Sequence, residues 1–350
     1  MESLNLLFPE QRYDCIRCGK SCRGGWRVLL DSEAEPRIRK ARATRRLEDR
    51  GFSPLTCGPD GLWRLQESPA CLYLTEEALC SLHLELGSGG KPRACRQFPF
   101  FLTETPDGIQ VGLSFRCAAV QRDLGRPLSG HRSELEELVA TGNYPRRGFG
   151  PIALGSDRSL DWREYLELEK ALLNSLEELG PGDGLRVVLS SLLPANQADL
   201  PIQFFLQWAV GTLVAQLEAD DPGKVEDLAR RLQAGAPFSS RRFAEPVSPL
   251  PSPRLDWLEA EIVRYVRHLV VRKFLLEPPS VLGRLVGLLL LPAALRFYTG
   301  IFARAAGRKE PAPEDLHRAW DVIEGEVAGH VQGTEGYFQS LEAGILAAVG

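Results

Sequence analysis

The chain has 350 residues, of which 44% are hydrophobic and 25% charged, a composition typical of globular proteins with a sizeable core or two domains. The formal net charge of −4 argues against a protein whose whole surface binds polyanions such as nucleic acid. The N-terminus has neither a basic start nor a long apolar run, so we expect no secretory signal and a cytoplasmic location.

The first predicted helix covers about residues 33–50. Asp31 or Ser32 can cap its start, and Gly51 follows its end. The segment is rich in arginine, and we interpret this as a solvated helix face, with an anionic partner as the alternative. Aromatic residues are not interleaved with the cations, so nucleic acid is not the partner that we expect.

Two short hairpins are predicted in the first third of the chain. Around Cys57, the Asp60-Gly61 pair is a turn signal between two short extended pieces. A second turn and strand are predicted over residues 105–111, where Pro-Asp-Gly precedes Ile-Gln-Val. Small hairpins of this kind suit a compact, loop-rich domain.

From about residue 130 the pattern becomes helical. Apolar residues recur at near-helical spacing over the segments 162–179, 202–217, 225–232, 255–276, 281–304 and 312–330. We predict a mainly α protein with small β-hairpins, in which an all-helical domain (126–350) packs against an N-terminal knot (1–125). Residues 246–253 read as a proline-rich, linker-like connection.

The most apolar stretch of the sequence covers residues 281–303. Arg284, Pro292 and Arg296 interrupt it, so it lacks the roughly 18 uninterrupted apolar residues that a membrane span needs. We therefore predict a buried helix and no membrane partner.

The eight cysteines all lie in the first third of the chain. Disulfide frameworks belong mainly to secreted domains, whereas clustered thiols in a reducing compartment more often hold a metal. The sharpest motif is Cys15-x2-Cys18-x3-Cys22. Cys-x2-Cys places two thiolates on one tight turn, Gly19 lets backbone N–H groups point at sulfur, and nearby basic residues favour thiolate over thiol.

The remaining thiols follow at wider spacings. Predicted metal ligands are Cys15, Cys18, Cys22, Cys71, Cys80, Cys95 and Cys117. Thiolates suit zinc and iron equally in affinity, but seven exceed the four that one tetrahedral zinc needs, and a second Cys-x2-Cys pair is missing. We therefore predict an iron–sulfur cluster of the 4Fe-4S type, with zinc as the alternative. His83 could be a further ligand or a structural histidine.

These motifs resemble the YkgJ-type cysteine-cluster family, described as zinc- or iron-chelating proteins. The resemblance is closer to its flagellin lysine-N-methylase (FliB-like) branch. It is carried by Cys22-Arg-Gly-Gly-Trp26 leading into Val28-Leu-Leu-Asp31, by Cys80-Ser-Leu-His83 leading to Cys95-Arg-Gln-Phe-Pro99, and by Leu113-Ser-Phe-Arg-Cys117. It covers roughly residues 15–120, and Cys57 matches no position of the family.

The resemblance implies an iron–sulfur cluster and methyl transfer from S-adenosylmethionine to protein lysines, such as those of a flagellin-like substrate. The sequence itself shows neither a catalytic residue nor a methyl-donor site. Gly180-Pro-Gly-Asp-Gly184 follows a predicted helix, so we interpret it as a helix-to-helix turn. The competing hypothesis is a non-enzymatic metal-binding module that interacts with a partner protein.

Overall fold

The structure is a computed structural model that describes residues 5–25, 28–66, 70–140, 150–193, 199–234, 236–240, 242–247, 255–329 and 334–349. It is mainly helical with small sheets, which confirms the predicted class at this level. Contacts divide the chain into two compact units, residues 1–146 and 147–350. The predicted boundary near residue 125 stays a prediction.

The first unit contains a small mixed sheet and short hairpins. Its strands are β1 (Leu6–Leu7), β2 (Arg12–Tyr13), β3 (Leu55–Cys57), β4 (Trp63–Leu65), β5 (Phe100–Thr105), β6 (Gly108–Leu113) and β7 (Arg126–Pro127). β5 and β6 form an antiparallel hairpin, β1 adds to β6 in parallel, and β2 pairs with β7. β3 and β4 form the second hairpin, so both predicted turns are confirmed.

The helices of this unit are short. They are α1 (Ala34–Lys40), α2 (Arg42–Asp49), α3 (Ser81–Leu86), α4 (Arg93–Gln97), α5 (Ala118–Gln121) and α6 (Arg132–Ala140). The single helix predicted over 33–50 is wrong in one respect, because it breaks at Ala41, whose backbone is extended. The Glu85 carboxylate accepts hydrogen bonds from the N–H groups of Arg42 and Ala43 at 2.7 and 2.8 Å, which starts α2 as a new helix.

A compact apolar core lies beneath α1 and α2. Its buried members include Ile38, Tyr73 and Leu82, and the half-buried thiols of Cys71, Cys80 and Cys95 pack against it. The two short helices are amphipathic, since their cations face solvent while Ala34, Ile38 and Thr44 face this core. Three of the predicted ligands therefore contact the same apolar core.

The second unit is built from longer helices. These are α7 (Trp162–Leu192), α8 (Asp199–Glu218), α9 (Val225–Gln233), α10 (Asp256–Val271), α11 (Val281–Ala305), α12 (Pro313–Ile323) and α13 (Glu335–Val349), with a π-helical turn at Glu324–Ala328 after α12. α7 begins with a capping box between Asp161 and Glu164. It is kinked at Gly180, where φ is +80° and ψ is 178°, which confirms the predicted helix-to-helix turn.

The prediction of an all-helical second part is wrong in detail. β8 (Ile152–Ala153) pairs with β9 (Ser159–Leu160), and β10 (Phe238–Ser240) pairs with β11 (Phe243–Val247). Phe238 anchors the second hairpin, because its ring is buried against α8, α9 and α11. Within the predicted proline-rich connection, Pro246 and Val247 belong to β11, and positions 248–253 lie outside the described residues.

Helix α11 forms the centre of the second unit and packs against α7, α8, α10, α12 and α13. By length and composition it passes the test for a membrane span, but 78% of its most apolar window is buried inside the protein. The arginines predicted to interrupt it are paired. Arg284 bonds Glu277 at 3.1 Å, and Arg296 bonds both carboxylate oxygens of Glu259 at 2.6 and 2.5 Å. The predicted buried helix is confirmed.

Candidate metal centre

The Cys15–Cys22 motif folds as a tight loop that ends in one 3₁₀ turn, Ser21–Arg23. Gly19 adopts a φ of +65°, in the left-handed region that glycine tolerates without strain. The guanidinium of Arg23 donates to the carbonyl of Cys18 at 2.9 Å, and its backbone N–H donates to the carbonyl of Gly19 at 3.2 Å. These bonds fix the loop. Cys15 and Cys18 are exposed, whereas Cys22 is half-buried.

Tertiary contacts attach this loop to two later cysteine segments. The N–H of Cys71 donates to the carbonyl of Cys22 at 2.8 Å, which joins the loop to the 71–80 segment. On its other side, the Lys20 ammonium donates to Gln121 at 3.0 Å, at the end of α5. The loop therefore contacts both the segment after Cys71 and the helix that follows Cys117.

The segment from Cys71 to Cys80 closes on itself. The backbone N–H of Leu74 donates to the carbonyl of Cys71 at 3.0 Å, and Leu74 forms an isolated β-bridge with Cys80. The N–H of Ser81 donates to the carbonyl of Tyr73 at 2.8 Å, so α3 starts directly after Cys80. Cys71 and Cys80 are thus held at the two ends of one small loop above the apolar core.

Cys95 is carried by α4. The carboxylate of Asp31 accepts from the N–H of Arg93 at 2.9 Å and from that of Ala34 at 2.8 Å, which ties the starts of α4 and α1 together. Burial first, and then the thiolate charges of Cys71 and Cys80, raise the pKa of Cys95 to about 12. The same three thiols pack against one apolar core.

Cys22 belongs to the same neighbourhood. Burial raises the pKa of its thiol, and the next cause is the charge of Cys80, while Lys91 acts in the opposite direction. Lys91 likewise lowers the pKa of Cys95. Lys91 was not among the residues predicted to favour thiolates. Its position, close in space to Cys22 but far from it along the chain, gives no signal in the sequence.

Cys117 lies in different surroundings, immediately before α5. Burial raises the pKa of its thiol, the N–H groups of Val120 and Ala119 lower it, and Cys15 and Cys18 raise it again. Tyr13 lies in the same surroundings, because burial and the charges of Cys117 and Cys15 raise the pKa of its hydroxyl. Tyr73 lies beside Cys71 and Cys80, and burial together with their charges raises the pKa of its hydroxyl. Sequence reasoning missed both tyrosines.

Cys57, predicted to be a spare, lies on β3 with an exposed thiol beside Arg64. His83 is exposed on α3, and partial burial together with the charges of Lys91 and Arg17 lowers its pKa. The ring of His317 stacks on Trp320 with a centroid separation of 5.8 Å.

The donor set can be tested against a metal site. All eight cysteines are free thiols. As they stand, the His, Cys, Asp and Glu side chains of the described segments form no group of three or more placed to hold a metal ion. The donors themselves suit a soft metal, since they are thiols, and Lys91 and Arg23 act on Cys22 as positive charges.

Comparison with known proteins adds no relative. No family model, no curated protein and no solved structure matches this chain.

Proposed function

We propose that this chain is a cysteine-cluster metalloprotein that holds an iron–sulfur cluster. The observation that supports it is the packing of Cys71, Cys80 and Cys95 against one apolar core, with the carbonyl of Cys22 accepting a hydrogen bond from the N–H of Cys71 at 2.8 Å. The raised pKa values of Cys22 and Cys95 keep their thiols protonated at neutral pH, so a metal that binds them as thiolates would release protons, and its binding energy would add to the stability of the fold.

Under this proposal the predicted ligands would hold the cluster, with Cys57 outside the set. A bound cluster supplies either one-electron transfer or a structural link between the segments. Neighbouring groups of the chain would offset the negative charge of the bound cluster. Lys91 and Arg23 both act on Cys22 as positive neighbours, and backbone N–H groups of α5 face Cys117.

Purification without oxygen tests the metal. We expect brown protein that contains iron and inorganic sulfide, absorbs broadly at the blue end of the visible spectrum and bleaches with dithionite. Iron–sulfur ligation tolerates varied cysteine spacings, whereas structural zinc sites usually show two short pairs. Colourless protein with stoichiometric zinc would contradict the proposal and favour the structural module instead.

The finer proposal, transfer of methyl from S-adenosylmethionine to protein lysines, is supported by the FliB-like resemblance alone. Calorimetric titration of the anaerobic protein with S-adenosylmethionine is the direct test. Saturable binding, followed by methylation of lysines in a flagellin-like protein, is the expected result. Heat of dilution only, with the cluster intact, would reject the methyltransferase and leave the metalloprotein.

One observation favours the alternative, a module that binds a partner protein. The outer face of α1 and α2 carries the exposed cations Arg37, Lys40, Arg45 and Arg50. The ring of Trp63 lies beneath Arg39, with the guanidinium carbon 4.0 Å from the ring centroid. Such a face suits an acidic protein surface, and a pull-down whose yield falls with added salt would support it.

A further inference from the structure

Helix α8 presents two large aromatic rings to solvent. Phe204 and Trp208 are 69% and 54% exposed, and Phe204 is the most exposed of the large apolar side chains in the described residues. The two rings are four positions apart, so they lie on one face of the helix. Positions 200–217 contain no charged residue, although a quarter of the whole chain is charged. An uncharged helix face with two exposed rings is typical of an interaction surface.

Helix α13 continues this face. The ring of Phe205 lies 2.6 Å from the place where a Cβ on Gly344 would stand, so the two helices pack closely there, and the centroid of that ring is 6.1 Å from that of Trp208. The exposed residues of α13 near this crossing are all uncharged, and two are alanines: Gln339, Ser340, Ala343 and Ala347. The one charged residue in positions 336–349 is Glu342, which is buried. Bulky rings on α8 therefore lie beside small side chains on α13.

We propose that this face of α8 and α13 binds a second copy of the chain about a two-fold axis. In such a contact the same patch occurs on both copies, and each pair of touching residues occurs twice. The face is self-complementary in shape, because Phe204 and Trp208 of one copy can pack on Ala343 and Ala347 of the other. It is self-complementary in charge as well, since an uncharged surface meets its own copy without the repulsion of like charges.

Composition argues against a lipid surface as the occupant of this face. Helices that lie on membranes are rich in Lys and Arg on their polar face, which attracts anionic headgroups. Neither positions 200–217 nor α13 contain a lysine or an arginine. A second copy needs no such cations.

The size of the face sets the strength expected of the contact. Helix α8 has 20 residues and α13 has 15, so they are about 30 and 22 Å long. Packed side by side at about 10 Å, two such helices present on the order of 500 Å² to a partner, less than the roughly 800 Å² per partner of a standard interface. We therefore expect a reversible dimer at micromolar concentrations.

Sedimentation equilibrium of the full chain, purified without oxygen, tests the dimer. From about 1 to about 100 μM, the average mass of wild type should rise from one chain towards two. Trp208→Glu places a charge in the contact and should raise the dissociation constant about tenfold or more. Leu179→Glu is the matched control, because Leu179 is 50% exposed on α7 of the same unit, and it should dimerise like wild type. Equal melting curves by circular dichroism show that the variants are folded.

A second pair of variants tests the two-fold arrangement. Phe204→Glu and Ala347→Lys should each weaken the dimer when alone, whereas an equal mixture should associate more tightly than either, because opposite charges then meet across the contact. A mixture no tighter than its components would overturn the arrangement. A dimer that Trp208→Glu leaves unchanged would exclude this face.

A wild type that stays monomeric at about 100 μM would overturn the proposal. If that monomer sedimented with phosphatidylcholine vesicles and Trp208→Glu did not, the face would belong to a lipid surface instead. The iron content of the protein does not enter these outcomes, so they stand apart from the test of the proposed function.

Discussion

At the scale of residues, two neighbours on α11 show how a hydrogen-bond partner decides the effect of a buried hydroxyl. The Tyr298 hydroxyl donates to the carboxylate of Glu218 at 2.6 Å, and both side chains are buried. The Thr299 hydroxyl is also buried, yet within the described structure it has no hydrogen-bond partner. A buried polar group without a partner costs stability, whereas one bonded to a charged group contributes to it.

We therefore expect opposite effects from two deletions of a hydroxyl. Thr299→Val should raise the free energy of unfolding by about 1 kcal/mol, because it removes an unbonded polar atom at nearly constant volume. Tyr298→Phe should lower it by about 2 kcal/mol, because Glu218 loses a bond in the interior. Urea unfolding followed by circular dichroism measures both. Equal losses in the two variants would contradict this account.

The same tyrosine predicts a dependence on pH. Burial, and then the charge of Glu218, raise the pKa of Tyr298 above its ordinary value. The unfolded chain loses this proton above about pH 10, whereas the folded chain keeps it. The contribution of Tyr298 to the free energy of unfolding is therefore fully present below pH 10 and is lost as pH rises beyond it. In urea titrations at pH 8, 9.5 and 10.5, wild type should lose stability more steeply than Tyr298→Phe. Parallel losses would refute the assignment to Tyr298.

At the scale of elements, helix breaks are decided in two different ways. At Ala41 the break comes from a distant carboxylate, since Glu85 caps α2 across 43 positions of sequence. At Gly180 it is local, because φ +80° with ψ 178° is open to glycine and costs other residues strain. A Cβ at Gly180 would meet nothing within 4 Å, so any cost of a side chain there arises from the backbone alone.

Two alanine substitutions separate these effects. Gly180→Ala should destabilise the second unit by about 1–3 kcal/mol, the cost of forcing a side chain into that backbone region. Gly182→Ala is the matched control, because its Cβ also meets open space but its backbone is helical, and it should stabilise by up to about 1 kcal/mol. Thermal unfolding measures both, and a neutral Gly180→Ala would show that the kink is not required.

At the scale of the whole molecule, the two units have different sources of stability. The second has a continuous apolar core around α11 and contains no cysteine. The first has short elements, half-buried thiols on the core under α1 and α2, and further buried apolar side chains around β5 and β6, such as Phe100, Val111 and Leu113. Under the proposed function, metal-binding energy would add to the folding energy of the core under α1 and α2, where the thiols pack.

We expect loss of the metal to unfold the first unit. Hydrogen exchange, compared between anaerobic protein and protein whose cluster has been lost to oxidation or chelation, should show amides of β5 and β6 losing protection. The amides of α11 are the internal control and should keep theirs, because they lie in the apolar core of the second unit. Unchanged protection of β5 and β6 would reject a folding role for the metal.

The sequence by itself determined what local chemistry controls. Turn residues placed the hairpins at Asp60-Gly61 and before Gly108, and apolar periodicity placed α8, α9, α10 and α11 to within a few residues. It missed α13 and the part of α7 that follows Gly180. The confinement of all thiols to one third of the chain predicted the cysteine-rich unit. These signals act over a few positions, so they can be read without knowing the fold.

Tertiary structure alone decided which thiols are neighbours. Cys22 is four positions from Cys18, yet its carbonyl accepts from the N–H of Cys71, whereas Lys20, which lies between the two cysteines, donates to Gln121 just after Cys117. The break of the first helix by Glu85 and the approach of Lys91 to Cys22 are of the same kind. Such contacts depend on how a single core packs segments that are far apart in sequence, and no local pattern records that packing.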